Sequence, residues 1–169
     1  MTRRALLLAG ALAVAGGCGD ATSSSVSEAP VPDPAQAPFQ PLLDMQQMMH
    51  LVIEPAAEVL WDSAGEVITA EATTDLAPTT DEGWHRVASA AATLAESGNL
   101  LMLPSRAEGR ADWIAFSGGL VDTGRQALEA AEARDGDALF EAGAAIYQVC
   151  LACHRSYALE ASNRFTQDP

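Results

Sequence analysis

Residues 138 to 157 read ALFEAGAAIYQVCLACHRSY, and this stretch carries the signal on which the fold prediction depends. We predict a helix from Ala138 to about Ser162, preceded by the break Asp135-Gly136-Asp137. Cys150 and Cys153 lie three residues apart in it, and His154 follows directly. Residues three or four apart share one face of a helix, so both thiols and the imidazole are expected on the same side.

Two more helices are predicted upstream of this stretch. One runs from about Glu108 to Ala133, and Gly118-Gly119 weakens it by roughly 1 kcal/mol per glycine relative to alanine. The other begins at a capping box, Thr79-x-x-Glu82, and stops at Ser97-Gly98-Asn99. Their inward positions recur at helical spacing: Trp113, Phe116, Leu120 and Ala127 in the former, and Trp84, Val87, Ala88, Ala91 and Leu94 in the latter.

A further helix is predicted from Pro41 to about Ser63, because proline is pre-organised for a first helical turn. Pro55 removes a backbone donor and should bend it. Its apolar residues form one stripe: Met45, Met49, Val52, Ala56 and Val59. Residues 65 to 80 are predicted as a loop, and we find no convincing strand. Four amphipathic helices with short breaks predict an all-α protein, folded as an antiparallel four-helix bundle.

The ends and the charge of the chain indicate export and exclude nucleic-acid binding. The 169 residues carry a net charge of −14, and all nine basic residues are arginine. Residues 1–17 are typical of a lipoprotein signal peptide, although ordinary cleavage and a twin-arginine signal are alternatives. Cys18 would then be the lipidated first residue of a periplasmic, membrane-anchored protein. Residues 18–38 are predicted to form a flexible Ser/Ala/Pro tether, and residues 39–169 the folded domain.

The sequence C-x-x-C-H at residues 150–154 is the attachment signature of c-type haem. Cys150 and Cys153 would form thioethers to the porphyrin, and His154 would be the proximal ligand of the iron. A redox disulfide usually opens a helix within a βαβ unit, which is not predicted here. A zinc site needs four ligands, and the other histidines are only His50 and His85. One covalent haem is therefore the predicted cofactor.

A C-terminal C-x-x-C-H in a helical chain of this length resembles the cytochrome c′ family and its low-spin relatives. The resemblance covers roughly residues 39 to 162 and implies a four-helix bundle, a distal face covered by the first helix, and a homodimer as in many members. The family often places an arginine on the first helix near a haem propionate, and this first helix has none. Arg106 and Arg86 are our candidates for that contact.

The sixth iron position separates the candidate functions, because a bound thioether closes the iron to small molecules. In six-coordinate family members a methionine of the first helix is the ligand. We expect Met49 in that role, with Met48 and Met45 as alternates and core packing as the competing interpretation. His50 points away from the predicted stripe.

The preferred function is single-electron transfer to a redox partner with a basic docking patch, since loss of residues 1–17 leaves a net charge of −16. The alternative is binding of NO or CO at an open distal face, as in high-spin cytochromes c′. An enzyme such as a peroxidase would need a distal acid–base pair, for which only His50 and Glu54 have helical spacing. We expect that this protein is not an enzyme.

Overall fold

The computed structural model describes residues 39–158, and these residues are mostly helical. The helices are α1 (Met45–Met48), α2 (Glu54–Trp61), α3 (Asp81–Leu101), α4 (Pro104–Ala107), α5 (Ala111–Ala133) and α6 (Gly136–Tyr157). A π-helical segment, Met49–Ile53, joins α1 to α2. The predicted signal peptide, Cys18 and the tether lie outside the described residues, as does everything after Ala158. No helix within residues 39–158 is long and apolar enough to cross a membrane.

Several predicted helix boundaries are wrong by a few residues, and side-chain caps explain where the helices begin. The first helix starts at Met45 rather than Pro41, because the Asp44 carboxylate accepts a hydrogen bond from the Gln47 amide at 2.8 Å. Thr80, not Thr79, caps α3 by accepting from the Gly83 amide. The side chain of Asp135 caps α6 at the Ala138 amide. Each cap satisfies a backbone donor that the first helical turn leaves open.

The expectation that no strand would form is wrong for the region between α2 and α3. Strands β1 (Glu66–Ile68) and β2 (Thr73–Asp75) pair antiparallel, with Val67 opposite Thr74. β-Branched residues favour the extended backbone. The Thr69 hydroxyl stabilises the turn by accepting from the amides of Glu71 and Ala72. Both strands of this hairpin lie within residues 65 to 80, the stretch predicted as a loop.

The core is built largely from small residues, which allows the helices to approach closely. α3 packs against α5, α5 packs against α6, and α2 contacts both α3 and α6. The predicted inward residues of α3 and α5 are buried or half-buried, with Ala88 and Phe116 in the half-buried group. The buried residues include ten alanines: Ala56, Ala57, Ala64, Ala90, Ala91, Ala107, Ala127, Ala130, Ala131 and Ala142.

The predicted stop at Ser97-Gly98-Asn99 is wrong, because Gly98 serves packing rather than helix termination. α3 continues through it to Leu101, and Ser97 and Gly98 are buried. A Cβ on Gly98 would lie 2.6 Å from the carbonyl oxygen of Ser117 on α5. Gly124 on α5 allows the same close contact from the other side, because a Cβ added to it would lie 2.7 Å from the Ala95 nitrogen on α3. These two glycines set the spacing between α3 and α5.

Gly124→Ala should destabilise the protein, whereas Gly118→Ala in the same helix should stabilise it. Both changes raise helix propensity, by about 1 kcal/mol. The methyl group at position 124 also meets the Ala95 backbone, and overpacking of this kind costs about 1–3 kcal/mol. A Cβ on Gly118 meets nothing within 4 Å.

Urea unfolding followed by circular dichroism measures both variants, with the slope of the transition checked for constancy. Equal midpoints for the two variants would show that the approach of α3 to α5 does not depend on Gly124.

Candidate functional site

The last two turns of α6 carry the three residues of the predicted attachment motif. Cys150, Cys153 and His154 are all half-buried. One turn of helix separates the two cysteines, as the spacing predicts. Of the three, Cys153 and His154 border the space beside the C-terminal end of the helix.

That space is a cavity of about 680 Å³, within the roughly 300–1,000 Å³ of small-molecule and cofactor sites. Cys153 and His154 form part of its wall. Met45 and Met49, which come from a distant part of the chain, form another part. We call this space the Met49–His154 cavity. Its other lining side chains include two arginines and two aromatic residues: Arg106, Arg110, Trp113 and Tyr157.

Cys150 packs against the hydrophobic core next to the cavity rather than lining it. Burial raises the pKa of its thiol to about 11, and the neighbouring Cys153 adds to the effect. Burial also raises the pKa of Cys153. The cysteines of disulfide oxidoreductases have lowered thiol pKa values, which make them good nucleophiles. The raised thiol pKa values therefore give no support to the disulfide interpretation.

The environment of His154 favours its neutral form, which is the form that binds a metal. Its pKa is lowered by burial, and the charge of Glu54 opposes that effect only in part. The imidazole lies in the cavity wall directly beside Cys153. It is thus in a suitable state and place to act as an axial ligand.

The methionines separate into two groups. Met48 is only 2% exposed and belongs to the hydrophobic core. Met45 and Met49 are half-buried and border the cavity. Of the three candidates for the distal position, the structure places Met49 and Met45 in the same cavity as His154.

The π segment explains why the predicted stripe differs from the observed one. A π-helical turn inserts a residue relative to α-helical periodicity, so the face that points inward changes along the helix. The buried residues of this region are Met48, Ile53, Ala56, Ala57 and Leu60, whereas Met49, Val52 and Val59 are half-buried. The segment begins at Met49, and Pro55 lies in the first turn of α2 that follows.

Of the two arginines predicted to contact a propionate, Arg106 lies in the cavity wall and Arg86 is an exposed residue of α3. Arg106 cross-links the chain, because Nη1 donates to the Leu100 carbonyl and Nη2 to the Leu43 carbonyl, each at 3.1 Å. These bonds hold the segment before α1 against the end of α3.

Sequence reasoning missed Arg110 and Tyr157 as site residues. The Arg110 guanidinium carbon lies 4.7 Å from the ring centre of Trp113 and 5.1 Å from that of Tyr157. The two rings meet edge to face at 5.0 Å. Tyr157 follows His154 by three residues, so helical spacing alone could have placed it on the same face.

The remaining histidines lie outside the cavity. His50 Nδ1 is 2.8 Å from the Glu54 carboxylate, and both side chains are about half exposed. His85 is exposed on α3. Among residues 39–158 no group of three or more His, Cys, Asp or Glu side chains is arranged to hold a metal ion. The zinc interpretation therefore finds no ligand set in that part of the chain.

Cys150 should react slowly with iodoacetamide in the folded chain before any cofactor is attached. A rise in thiol pKa from 9.0 to about 11 lowers the thiolate fraction near neutral pH about a hundredfold. The reaction rate should increase as pH rises toward 11, because the thiolate is the nucleophile.

The rate is measured by mass spectrometry from pH 7 to pH 10, with the same chain unfolded in urea as the control. Equally fast alkylation of the folded and unfolded chains at pH 7.5 would show that the thiols are not shielded.

Comparison of this chain with protein-family models, with curated proteins and with solved structures finds no match. Its function must therefore be inferred from its own side chains. Those side chains are two thiols on one helix, a neutral imidazole beside them, and thioether sulfurs from a different part of the chain.

Proposed function

We propose that this protein is a c-type cytochrome that carries one covalent haem and transfers single electrons. The observation that carries the proposal is the Met49–His154 cavity, which brings the end of α6 together with residues more than 100 positions earlier in the chain. A haem held there would supply the ferric–ferrous couple of its iron.

The residues in the cavity wall and directly next to it fit this group. Cys150 and Cys153, one helical turn apart, would hold the porphyrin through two thioether bonds. His154 would provide the proximal nitrogen, and its pKa, lowered by burial, keeps that nitrogen unprotonated. The apolar setting of Cys150 suits a thioether, which carries no charge, better than a thiolate, whose desolvation is costly.

Met49 is our proposed distal ligand. It borders the cavity together with His154, whereas Met48 is committed to the core. Met45 lies one turn earlier on the same wall and is the alternate. Two fixed axial ligands keep the coordination of the iron constant between oxidation states, which favours electron transfer over binding of an added ligand.

We also propose that the chain folds as an antiparallel four-helix bundle. The contacts of α2 with α3, α3 with α5, α5 with α6 and α6 with α2 form a closed ring, which supports this arrangement. The cavity then lies where α1 and the π segment meet the end of α6. Trp61 supports the α2–α6 contact, because its indole nitrogen donates to the Gly143 carbonyl at 3.1 Å.

The proposed location and partner depend on sequence and charge. A lipid on Cys18 would anchor the protein in the periplasm, with residues 18–38 as the tether. The net charge of −14 supports a redox partner with a basic docking surface, and association should weaken as salt increases.

Met49→Ala should convert a six-coordinate, low-spin haem into one that is high-spin and binds CO readily. Met48→Ala should keep the low-spin spectrum but lose about 2–5 kcal/mol of stability, because it leaves a cavity in the core. The two changes remove the same side chain at adjacent positions, so they separate ligation from packing.

Optical spectra of the ferric and ferrous proteins, recorded with and without CO, measure the effect, and a Cys150→Ala/Cys153→Ala protein serves as the blank without covalent haem. A low-spin spectrum that survives Met49→Ala and is lost in Met45→Ala would transfer the role to Met45. Wild-type protein that is already high-spin and binds CO would favour gas binding over electron transfer.

A further inference from the structure

Arg110 is held rigidly at the wall of the Met49–His154 cavity. Its Nε donates to the Ala107 carbonyl at 3.2 Å, and its Nη2 donates to the Arg106 carbonyl at 2.6 Å. Its guanidinium carbon lies 4.7 Å from the ring centre of Trp113 and 5.1 Å from that of Tyr157, and it makes a cation–π contact with each ring. An arginine fixed in this way loses little further side-chain entropy when it binds a ligand.

The donors that remain on Arg110 form the edge best suited to a carboxylate. Within residues 39–158 its Nη1 makes no hydrogen bond, and Nη2 keeps one proton beyond the bond to the Arg106 carbonyl. The exposed carboxylate of Glu108 has an oxygen 3.8 Å from Nη2, which is too far for a hydrogen bond. The planar Nη1–Nη2 edge matches the two oxygens of a carboxylate.

Arg106, the other arginine of the cavity wall, uses the end of its guanidinium group to bind the main chain. Both of its Nη atoms already donate to main-chain carbonyls, in two separate segments of the chain. The Asp112 carboxylate accepts from the Trp113 amide at 2.9 Å, and its pKa is lowered first by a hydrogen bond from Tyr157 and also by the charge of Arg110. Arg106 uses its Nη1–Nη2 edge to join two segments of the chain, whereas the same edge of Arg110 keeps Nη1 and one Nη2 proton available for a carboxylate.

We propose that Arg110, rather than Arg106, binds a propionate carboxylate of the haem, an inference that rests on the proposed function. A porphyrin attached to α6 through the two thioethers and His154 would bring its propionates beside the cavity wall, where an arginine can compensate their charge. Arg110 lies in that wall together with Cys153 and His154. Arg106 then has a structural role, joining the segment before α1 to the end of α3.

The charge of Arg110 would act on the iron through this carboxylate. Neutralising the propionate and adding a positive charge nearby both favour the ferrous state, because Coulomb interactions are strong in a partly buried site. Loss of the charge should therefore lower the reduction potential.

The experiment compares Arg110→Gln, Arg110→Lys and Arg125→Gln in the haem-loaded protein. Arg125 pairs with Glu129 on the exposed surface of α5, so Arg125→Gln removes one positive charge away from the cavity. Covalent haem content is measured first by mass and absorbance. Reduction potential is then measured by redox titration, and the propionate bending band by resonance Raman spectroscopy.

We expect Arg110→Gln to lower the potential and to shift the propionate band, whereas Arg125→Gln should leave the band unchanged and shift the potential less. Arg110→Lys should keep most of the wild-type reduction potential but still shift the propionate band, because an ammonium group keeps the positive charge and lacks the planar edge of a guanidinium. If Arg110→Gln does not accumulate, the position of the propionate band in Arg110→Lys still tests the proposal, which predicts a shift.

The proposal would be overturned if the propionate band is unchanged in both Arg110 variants and their reduction potentials equal that of Arg125→Gln. Arg110 would then have a packing role alone. A wild-type protein without covalent haem would instead refute the proposed function, and that result is seen before any variant is made.

Discussion

The arrangement of the site depends on one packing cluster, in which the Arg110 guanidinium contacts the rings of Trp113 and Tyr157 and the two rings meet edge to face. It joins the start of α5 to the last turn of α6, which carries Cys153 and His154. Trp113 is 5% exposed, and its indole nitrogen donates to the Leu101 carbonyl at 2.8 Å. This hydrogen bond connects the cluster to the end of α3. Each of these contacts contributes about 0.5–2 kcal/mol. Together they hold the start of α5 and the end of α6 at the cavity and connect both to the end of α3.

The second wall of the cavity comes from the irregular helix that contains the methionines. A regular α-helix over the same residues would continue the stripe on which Met45 and Met49 begin. The π segment instead turns Met48 and Ile53 into the core while Met49 remains at the cavity. π-Helical turns occur frequently at functional sites, where they reposition a side chain at the expense of regular hydrogen bonding. The local geometry at Met49 agrees with the function proposed for it.

The sequence was informative wherever a residue acts through helical spacing. The inward faces of α3 and α5 and the shared face of Cys150 and Cys153 follow from a period of 3.6 residues. Features that depend on contacts between elements could not be found in this way. Gly98 has the local appearance of a helix stop, but its function is to admit the backbone of α5. The π segment breaks the very period on which the prediction relies. Arg110 is surrounded by charged and turn-forming residues, and only the tertiary structure places it over two rings.

The account as a whole depends on a porphyrin being bound to α6 through two sulfurs. The most direct measurement is the mass of the tryptic peptide 135–155, which contains Cys150, Cys153 and His154 between two arginine cleavage sites. The protein is purified from a host that matures c-type cytochromes. We predict that the peptide carries one haem and no free thiol. A peptide of unmodified mass, or one with a disulfide between the two cysteines, would contradict the account.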